Sequence, residues 1–201
     1  MKKLPLDFYT RTDVIQIARE LIGKILVTHL PDGITSGRIV ETEAYIGLTD
    51  RASHSFGGRR TARNEHMYAS GGSSYVYICY GMHQMFNVVT NEKGIPDAVL
   101  IRALEPLEGI EIMLSRTGKK KLDHTLTRGP GNLGKAMGIH KGLSGLNLRD
   151  EHLYIAEDGF HPKPDDIVVT SRIGVEPAGK DALLPYRFIL RNNKYVSARK
   201  S

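Results

Sequence analysis

The chain has 201 residues, 40% of them hydrophobic and 25% charged, and its formal net charge is +6 at pH 7. Its length allows one sizeable core, and its composition excludes collagen, coiled-coil and disordered classes, while the moderate basic excess suits a polyanionic partner without requiring one. No apolar run is long enough to span a membrane, and the opening MKKLPLDFYTRTD lacks the apolar stretch of a signal peptide, which together predict a cytoplasmic protein.

The amino-terminal part predicts one helix followed by strands. Residues 10–23 carry Thr/Asp capping chemistry, a closing glycine and apolar residues at helical spacing, namely Val14, Ile17, Ala18 and Leu21. KILVTHL predicts a strand and PDG a turn. GRIVETEAYIG (37–47) predicts a β-rich segment, which leads into the polar loop LTDRASHSFGGRRTARN.

SSYVYICYGMHQMFNVV (73–89) predicts a β-hairpin with Tyr80 at its tip, and DAVLIRALEP (97–106) predicts a buried strand. Pro106 is expected to open a helix, because the first helical turn tolerates a missing N–H. A basic connection leads to a short helix, and strands and turns follow. Without a regular βαβ alternation, the predicted fold class is α+β: a single domain over residues 1–201, with a curved, mainly antiparallel β-sheet core, flanking helices and a protruding β-hairpin.

Several motifs are weak. GPGNLGKA (129–136) fits part of a Walker A loop, but Ala136 lacks the hydroxyl that magnesium needs and no apolar strand precedes it. Backbone amides of this glycine turn that bind a DNA phosphate are a weaker possibility. The eight histidines form no H-E-x-x-H pair, although His54 could in principle join Glu41 and Glu43 around a metal. The single cysteine, Cys79, excludes an internal disulfide and is expected to be a small core residue.

Polar residues within predicted strands mark possible chemistry. In a strand, Glu41, Glu43 and Tyr45 share one face, since side chains alternate. A solvent-facing strand edge is the default interpretation for Glu41, and the alternative is a pocket in which a tyrosine and a carboxylate activate a water. Asn87 and Arg102 interrupt apolar strands and need partners if they are buried. Structural networks could supply those partners, or several strands could point polar groups into one cavity.

The chain resembles the alkyladenine DNA glycosylases, also called methylpurine or 3-methyladenine DNA glycosylases, of bacterial type. The matching stretches follow family order from about Thr12 to Val196: GRIVETEAYIG, RASHSFGGRRTARN, YVYICYGMHQMFNVV, VLIRALEPLEG, RGPGNLGKAMGI, and SRIGV with AGKDALLPYRF. The resemblance implies a monofunctional DNA N-glycosylase of base excision repair. Such an enzyme flips a damaged purine from duplex DNA and hydrolyses the N-glycosidic bond with an activated water, leaving an abasic site. Several lesions are compatible: 3-methyladenine, 7-methylguanine, hypoxanthine and ethenoadenine.

The resemblance also implies residue roles. Glu43 matches the general base, and Arg102 matches the residue that helps to hold the water, with the backbone near Ile173 as a further contact. Three positions match the pocket that sandwiches the purine and hydrogen-bonds it: Tyr45, His54 and Tyr77. Asn87 matches the residue that disfavours the 2-amino group of guanine, and Tyr80 the residue that intercalates into the gap in the DNA. Three arginines are expected to contact phosphates: Arg59, Arg60 and Arg63. Gln84 departs from the family pattern, in which an aromatic residue is common.

The resemblance further implies no metal or organic cofactor, and a monomer that acts on double-stranded DNA containing damaged purines, associated with the nucleoid through DNA. Two alternatives remain open. One is a non-catalytic module that binds damaged DNA or abasic sites, which would release no base. The other is a metal-dependent nuclease or hydrolase built on Glu41, Glu43 and His54, which would be sensitive to EDTA. For Tyr80, the alternative is a ring that folds back onto the sheet.

Overall fold

The computed structural model describes residues 1–197, and one open, nine-stranded sheet organises this part of the chain. The strand order is β1-β7-β2-β3-β6-β5-β4, with β9 paired to β3 and β8 to β9. Every strand pair is antiparallel, which confirms the predicted α+β class with a mainly antiparallel sheet. The strands are β1 Lys2–Lys3, β2 Ile25–Leu30, β3 Gly33–Tyr45, β4 Ser74–Cys79, β5 His83–Thr90, β6 Asp97–Glu108, β7 Leu153–Glu157, β8 Ile167–Thr170 and β9 Arg187–Leu190.

Four short α-helices accompany the sheet in the described residues: α1 Leu6–Tyr9, α2 Val14–Glu20, α3 Ile110–Thr117 and α4 Pro130–Ala136. The helix predicted over residues 10–23 is confirmed as α2, in which the Asp13 side chain accepts a hydrogen bond from the Gln16 amide. The apolar face of α2 is buried in the main core, together with Leu26 of β2 and Leu104 of β6.

The prediction that a helix begins at Pro106 is wrong, because β6 continues through Glu108 and the helix begins only at Ile110. Pro106 pairs with Gly37 beside a register irregularity, where a missing N–H is tolerated in a strand. The turn comes instead at Gly109, whose φ of +71° suits glycine and whose Cβ, if present, would lie 2.2 Å from the carbonyl oxygen of Ile34.

Strand β3 lies inside the sheet rather than at its edge. Its first half pairs with β2, residues Glu41 to Glu43 pair with β9, and β6 runs along its other side. The register between β3 and β6 shifts on both sides of Glu41, so that Arg102 is left without a partner residue in the ladder. Such bulges redirect side chains. The exposed edge expected for Glu41 is therefore wrong, and Glu41 is 0% exposed.

The predicted hairpin is present as β4 and β5 and ends in an exposed turn. The Met82 amide donates to the carbonyl oxygen of Cys79 at 3.2 Å. Between them, Tyr80 and Gly81 have φ values of 50° and 73°, a left-handed conformation that glycine adopts readily and a tyrosine rarely. The Tyr80 side chain is 89% exposed, so its ring does not fold back onto the sheet.

Within the part of the chain that the structure describes, no helix is long and apolar enough to cross a membrane. That residues 1–201 constitute a single domain stays a prediction, and residues 198–201 lie outside the described part.

Candidate active site

A cavity of about 320 Å³ opens between the central strands and the hairpin. This volume is at the lower end of the range for small-molecule pockets, roughly 300–1,000 Å³. The structure brings most of the predicted site residues to its walls, namely Tyr45, His54, Tyr77, Asn87 and Arg102, with Arg63 and Tyr80 also bordering it. Cys79 lines the same cavity and is only partly buried, so the expectation of a core cysteine is wrong.

One wall of the cavity is aromatic. The His54 and Tyr77 rings meet edge to face with centroids 4.5 Å apart, and the Tyr77 and Tyr75 centroids are 5.6 Å apart. The Nδ1 atom of His54 lies 2.9 Å from the Tyr75 hydroxyl. Burial, together with the charges of Arg63 and Arg59, lowers the pKa of His54 to about 4. The imidazole is therefore neutral at pH 7, and Tyr75, for which the sequence predicted no role, orients it.

The carboxylate of Glu43 lies beneath the cavity and is 0% exposed. Its Oε2 atom accepts from the Tyr45 hydroxyl at 2.8 Å and from Nη1 of Arg102 at 3.2 Å. Its Oε1 atom accepts from the Ile173 amide at 2.8 Å. All three donor residues line the cavity, which places Glu43 directly behind its wall. Burial and the Glu43 charge raise the pKa of Tyr45 well above its usual value, which keeps its hydroxyl a donor.

Glu41 supports Arg102 from behind. The Nε atoms of Arg102 and Arg187 donate to its Oε1 at 2.8 and 2.7 Å, and the Ser197 amide donates to its Oε2 at 2.7 Å. Burial alone would raise the pKa of Glu41, but the two guanidinium charges and the hydrogen bonds from Ser197 outweigh it and lower that pKa. Burial lowers the pKa of Arg102, yet Glu43 and Glu41 reverse this and raise it. The cluster thus pairs the two buried carboxylates, Glu41 and Glu43, with the guanidinium groups of Arg102 and Arg187.

The metal-site alternative conflicts with this geometry. Glu41 is surrounded by cationic and hydrogen-bonding donors, and among residues 1–197 no group of three or more His, Cys, Asp or Glu side chains could hold a metal ion. Arg187 was missed in the sequence, although it interrupts the apolar stretch PYRFIL in the way that Arg102 interrupts VLIRAL. A polar residue inside an apolar strand was thus the available signal for both.

Asn87 and Gln84 come from β5. The Nδ2 atom of Asn87 donates to the carbonyl oxygens of Tyr75 and Met85 at 3.2 and 3.3 Å, which fixes the orientation of the amide at the cavity wall. At Gln84, α4 packs against the hairpin so closely that a Cβ at Gly134 would be 2.2 Å from the Gln84 carbonyl oxygen. The Oε1 atom of Gln84 is buried and has no hydrogen-bond partner among the described residues.

The three arginines expected to contact phosphates differ in availability. Arg60 forms an exposed ion pair with Glu65, with Nε 2.9 Å from Oε2. Arg63 lies over the Tyr77 ring at 5.7 Å and donates to the Ile78 carbonyl oxygen at 3.3 Å. Arg59 is exposed and, like Arg63, borders a second concavity of about 330 Å³ beside the cavity. Arg59 and Arg63 thus combine exposed positive charge with closeness to the cavity.

Comparisons with known proteins identify one family. Residues 7–194 match the family model of methylpurine-DNA glycosylase. The chain is 47% identical to a protein of Desulfitobacterium hafniense (strain Y51), over 99% of this chain and 100% of that protein. It is 48% identical to a protein of Methanocella arvoryzae, over 99% of this chain and 98% of that protein. It is 42% identical to a protein of Clostridium perfringens (strain 13 / Type A), over 98% and 100%. All three carry the name "Putative 3-methyladenine DNA glycosylase".

Proposed function

This chain belongs to the methylpurine-DNA glycosylase family, and we propose that it is a monofunctional DNA N-glycosylase of base excision repair. In this proposal, an alkylated or deaminated purine flips out of duplex DNA into the cavity, and hydrolysis of its N-glycosidic bond leaves an abasic site. The observation that carries the proposal is the Glu43 carboxylate, which three donors hold directly beneath a cavity with an aromatic wall.

Glu43 is proposed as the general base. The water that attacks C1′ of the deoxyribose binds at the cavity floor and gives its proton to Glu43. Arg102 holds the carboxylate and the water in place, and the backbone at Ile173 completes the site. Proton transfer to a positioned base typically contributes roughly 10²–10⁴-fold to the rate. As the water oxygen bonds to C1′, the electron pair of the C1′–N9 bond leaves with the purine. A cationic alkylated purine leaves as a neutral base, so for it the water needs activation more than the base does.

The cavity walls select the purine in this proposal. Tyr45, His54 and Tyr77 stack on the flipped base and hydrogen-bond to it, and stacking favours electron-poor, often cationic, alkylated bases. Neutral His54 adds no positive charge that would repel such a base. Asn87, whose amide is fixed by two backbone carbonyls, disfavours the 2-amino group of normal guanine by a clash. Compatible bases are 3-methyladenine, 7-methylguanine, hypoxanthine and ethenoadenine.

The duplex is held from outside the cavity. Tyr80 intercalates into the gap that the flipped nucleotide leaves, which recovers part of the unstacking cost of a few kcal/mol. Arg59 and Arg63 contact phosphates without reading sequence, whereas Arg60 does so only after it separates from Glu65. The protein acts as a monomer without a cofactor, and its association with the nucleoid follows from DNA binding.

The test is release of free base from duplexes that contain hypoxanthine or methylated adenine, in EDTA, with strand cleavage measured separately. We expect free base and an intact, alkali-labile backbone. Glu43→Gln should abolish release and leave binding to damaged duplex largely intact. Glu157→Gln, which removes an ion-paired carboxylate far from the cavity, is the control and should keep full release.

Two outcomes would redirect the assignment. Binding without release by the wild-type protein would identify a module that recognises damaged DNA or abasic sites. Full release by Glu43→Gln would show that Glu43 is not the general base.

A further inference from the structure

Arg172 is a buried arginine for which the site described above has no use. Its side chain is 0% exposed and that of Asp50, its counterion, is 1% exposed. The guanidinium donates with both terminal nitrogens to Asp50, with Nη2 2.9 Å from Oδ1. Nη1 also donates to the carbonyl oxygen of Ala44 at 2.9 Å, and Nη2 to that of Asp181 at 3.0 Å. One planar group thus joins the end of β3, the loop that follows it and the segment after β8.

Two of the three donors to Glu43 lie next to this group. The Arg172 guanidinium lies over the Tyr45 ring, 4.7 Å from its centroid, and Tyr45 donates its hydroxyl to Glu43. Ile173, the next residue along the chain, donates its amide to the other carboxylate oxygen. Ala44, which accepts from Arg172, lies between Glu43 and Tyr45 in the sequence. The Arg172 side chain therefore contacts the Tyr45 ring and the backbone just before Tyr45, and its own backbone leads directly into Ile173.

Arg172 is not required as the countercharge of the Glu43 carboxylate. Asp50 neutralises the guanidinium within its own pair, and Arg102 already supplies a cation to Glu43. A buried ion pair is weak evidence for stability, because the desolvation cost offsets the attraction. What a planar, multiply bonded guanidinium supplies, and a lysine does not, is fixed geometry.

We propose that Arg172, held by Asp50, is a positioning residue that places the Tyr45 hydroxyl and the Ile173 amide against the carboxylate of Glu43. The inference rests on the proposed function, in which Glu43 is the general base. It assigns to Arg172 no contact with the substrate and no proton transfer.

The experiment compares Arg172→Lys with Arg38→Lys in single-turnover base release and in binding to a hypoxanthine-containing duplex. Arg38 makes the same kinds of contact elsewhere: it pairs with Asp158, donates to the Gly23 carbonyl oxygen and lies over the Phe160 ring at 4.5 Å. We expect Arg172→Lys to slow release roughly ten- to hundredfold, because misplacement of a catalytic group by about 1 Å costs up to 10²-fold. Its affinity for the duplex should change less than twofold, and Arg38→Lys should alter neither quantity.

A local readout accompanies the rates. Hydrogen exchange of the Ile173 amide, followed by NMR, should accelerate in Arg172→Lys and stay unchanged in Arg38→Lys. If Arg172→Lys melts below the assay temperature, Asp50→Glu carries the test, since it keeps the ion pair and moves the guanidinium.

The outcomes separate the two proposals. Equal release by Arg172→Lys and Arg38→Lys, or a loss of affinity that accounts for the whole loss of rate, overturns the positioning role. Unchanged exchange at Ile173 overturns it as well. If Glu43→Gln, measured in parallel, keeps full release, the general-base role of Glu43 fails, whatever Arg172→Lys does.

Discussion

Tyr80→Ala should weaken binding to damaged duplex while leaving the fold intact. In the free protein the side chain is 89% exposed, so the native state has almost nothing to lose from its removal. Stacking between a base and an aromatic ring is worth roughly 1–3 kcal/mol, which corresponds to a decrease of about 5- to 150-fold in affinity. The assay is the equilibrium dissociation constant for a duplex with one hypoxanthine, alongside the thermal midpoint Tm.

Tyr80→Phe is the matched control, because it keeps the ring and removes the hydroxyl, and it should bind within about twofold of the wild type if stacking dominates. Two results would refute the reasoning. A Tm for Tyr80→Ala several degrees below that of the wild type would show that the ring stabilises the folded chain. Undiminished affinity would show that Tyr80 does not enter the DNA.

Three further predictions concern stability. Glu41→Gln leaves the buried guanidinium of Arg187 without its carboxylate and Arg102 with Glu43 alone, and it should lower the free energy of unfolding by about 3–5 kcal/mol in urea titrations. His54 has its pKa lowered from 6.5 to about 4, so it favours the folded state above pH 6.5 and this contribution is lost as the pH falls to 4. His54→Gln should therefore lose stability less steeply than the wild type over that window, in urea titrations at each pH. Gly134→Ala would bring a Cβ to 2.2 Å from the Gln84 carbonyl oxygen, and its Tm, measured by calorimetry, should fall.

Local sequence patterns correctly predicted those elements whose structure is decided by neighbouring residues along the chain. Helix α2 follows from its apolar spacing and the Asp13 cap, and the β4–β5 hairpin follows from two β-rich runs around Gly81. The predicted helix start at Pro106 was wrong because a proline at a strand irregularity and a proline at a helix start look alike in the sequence. Gly109, three residues later, was the better marker of the boundary.

Part of the candidate site could be predicted from the sequence. The shared face of Glu43 and Tyr45 and the intrusion of Arg102 into an apolar strand were readable from periodicity, and the structure places these three side chains in contact. The burial of Glu41 was not readable, since it depends on which strands flank β3. Its partner Arg187 lies 146 residues away in the chain, and no local pattern encodes such a pairing.

The long reach of these contacts has a consequence for biosynthesis. The strands β3 to β6, which carry many of the residues that line the cavity, are complete by residue 108, whereas Ile173, Arg187 and Ser197 anchor the two carboxylates from residues 173–197. At about 5–20 residues per second, translation separates these two parts of the molecule by several seconds. We expect a nascent chain that ends before residue 172 to lack these contacts, so that its two carboxylates stay without their carboxy-terminal donors until the last residues are added.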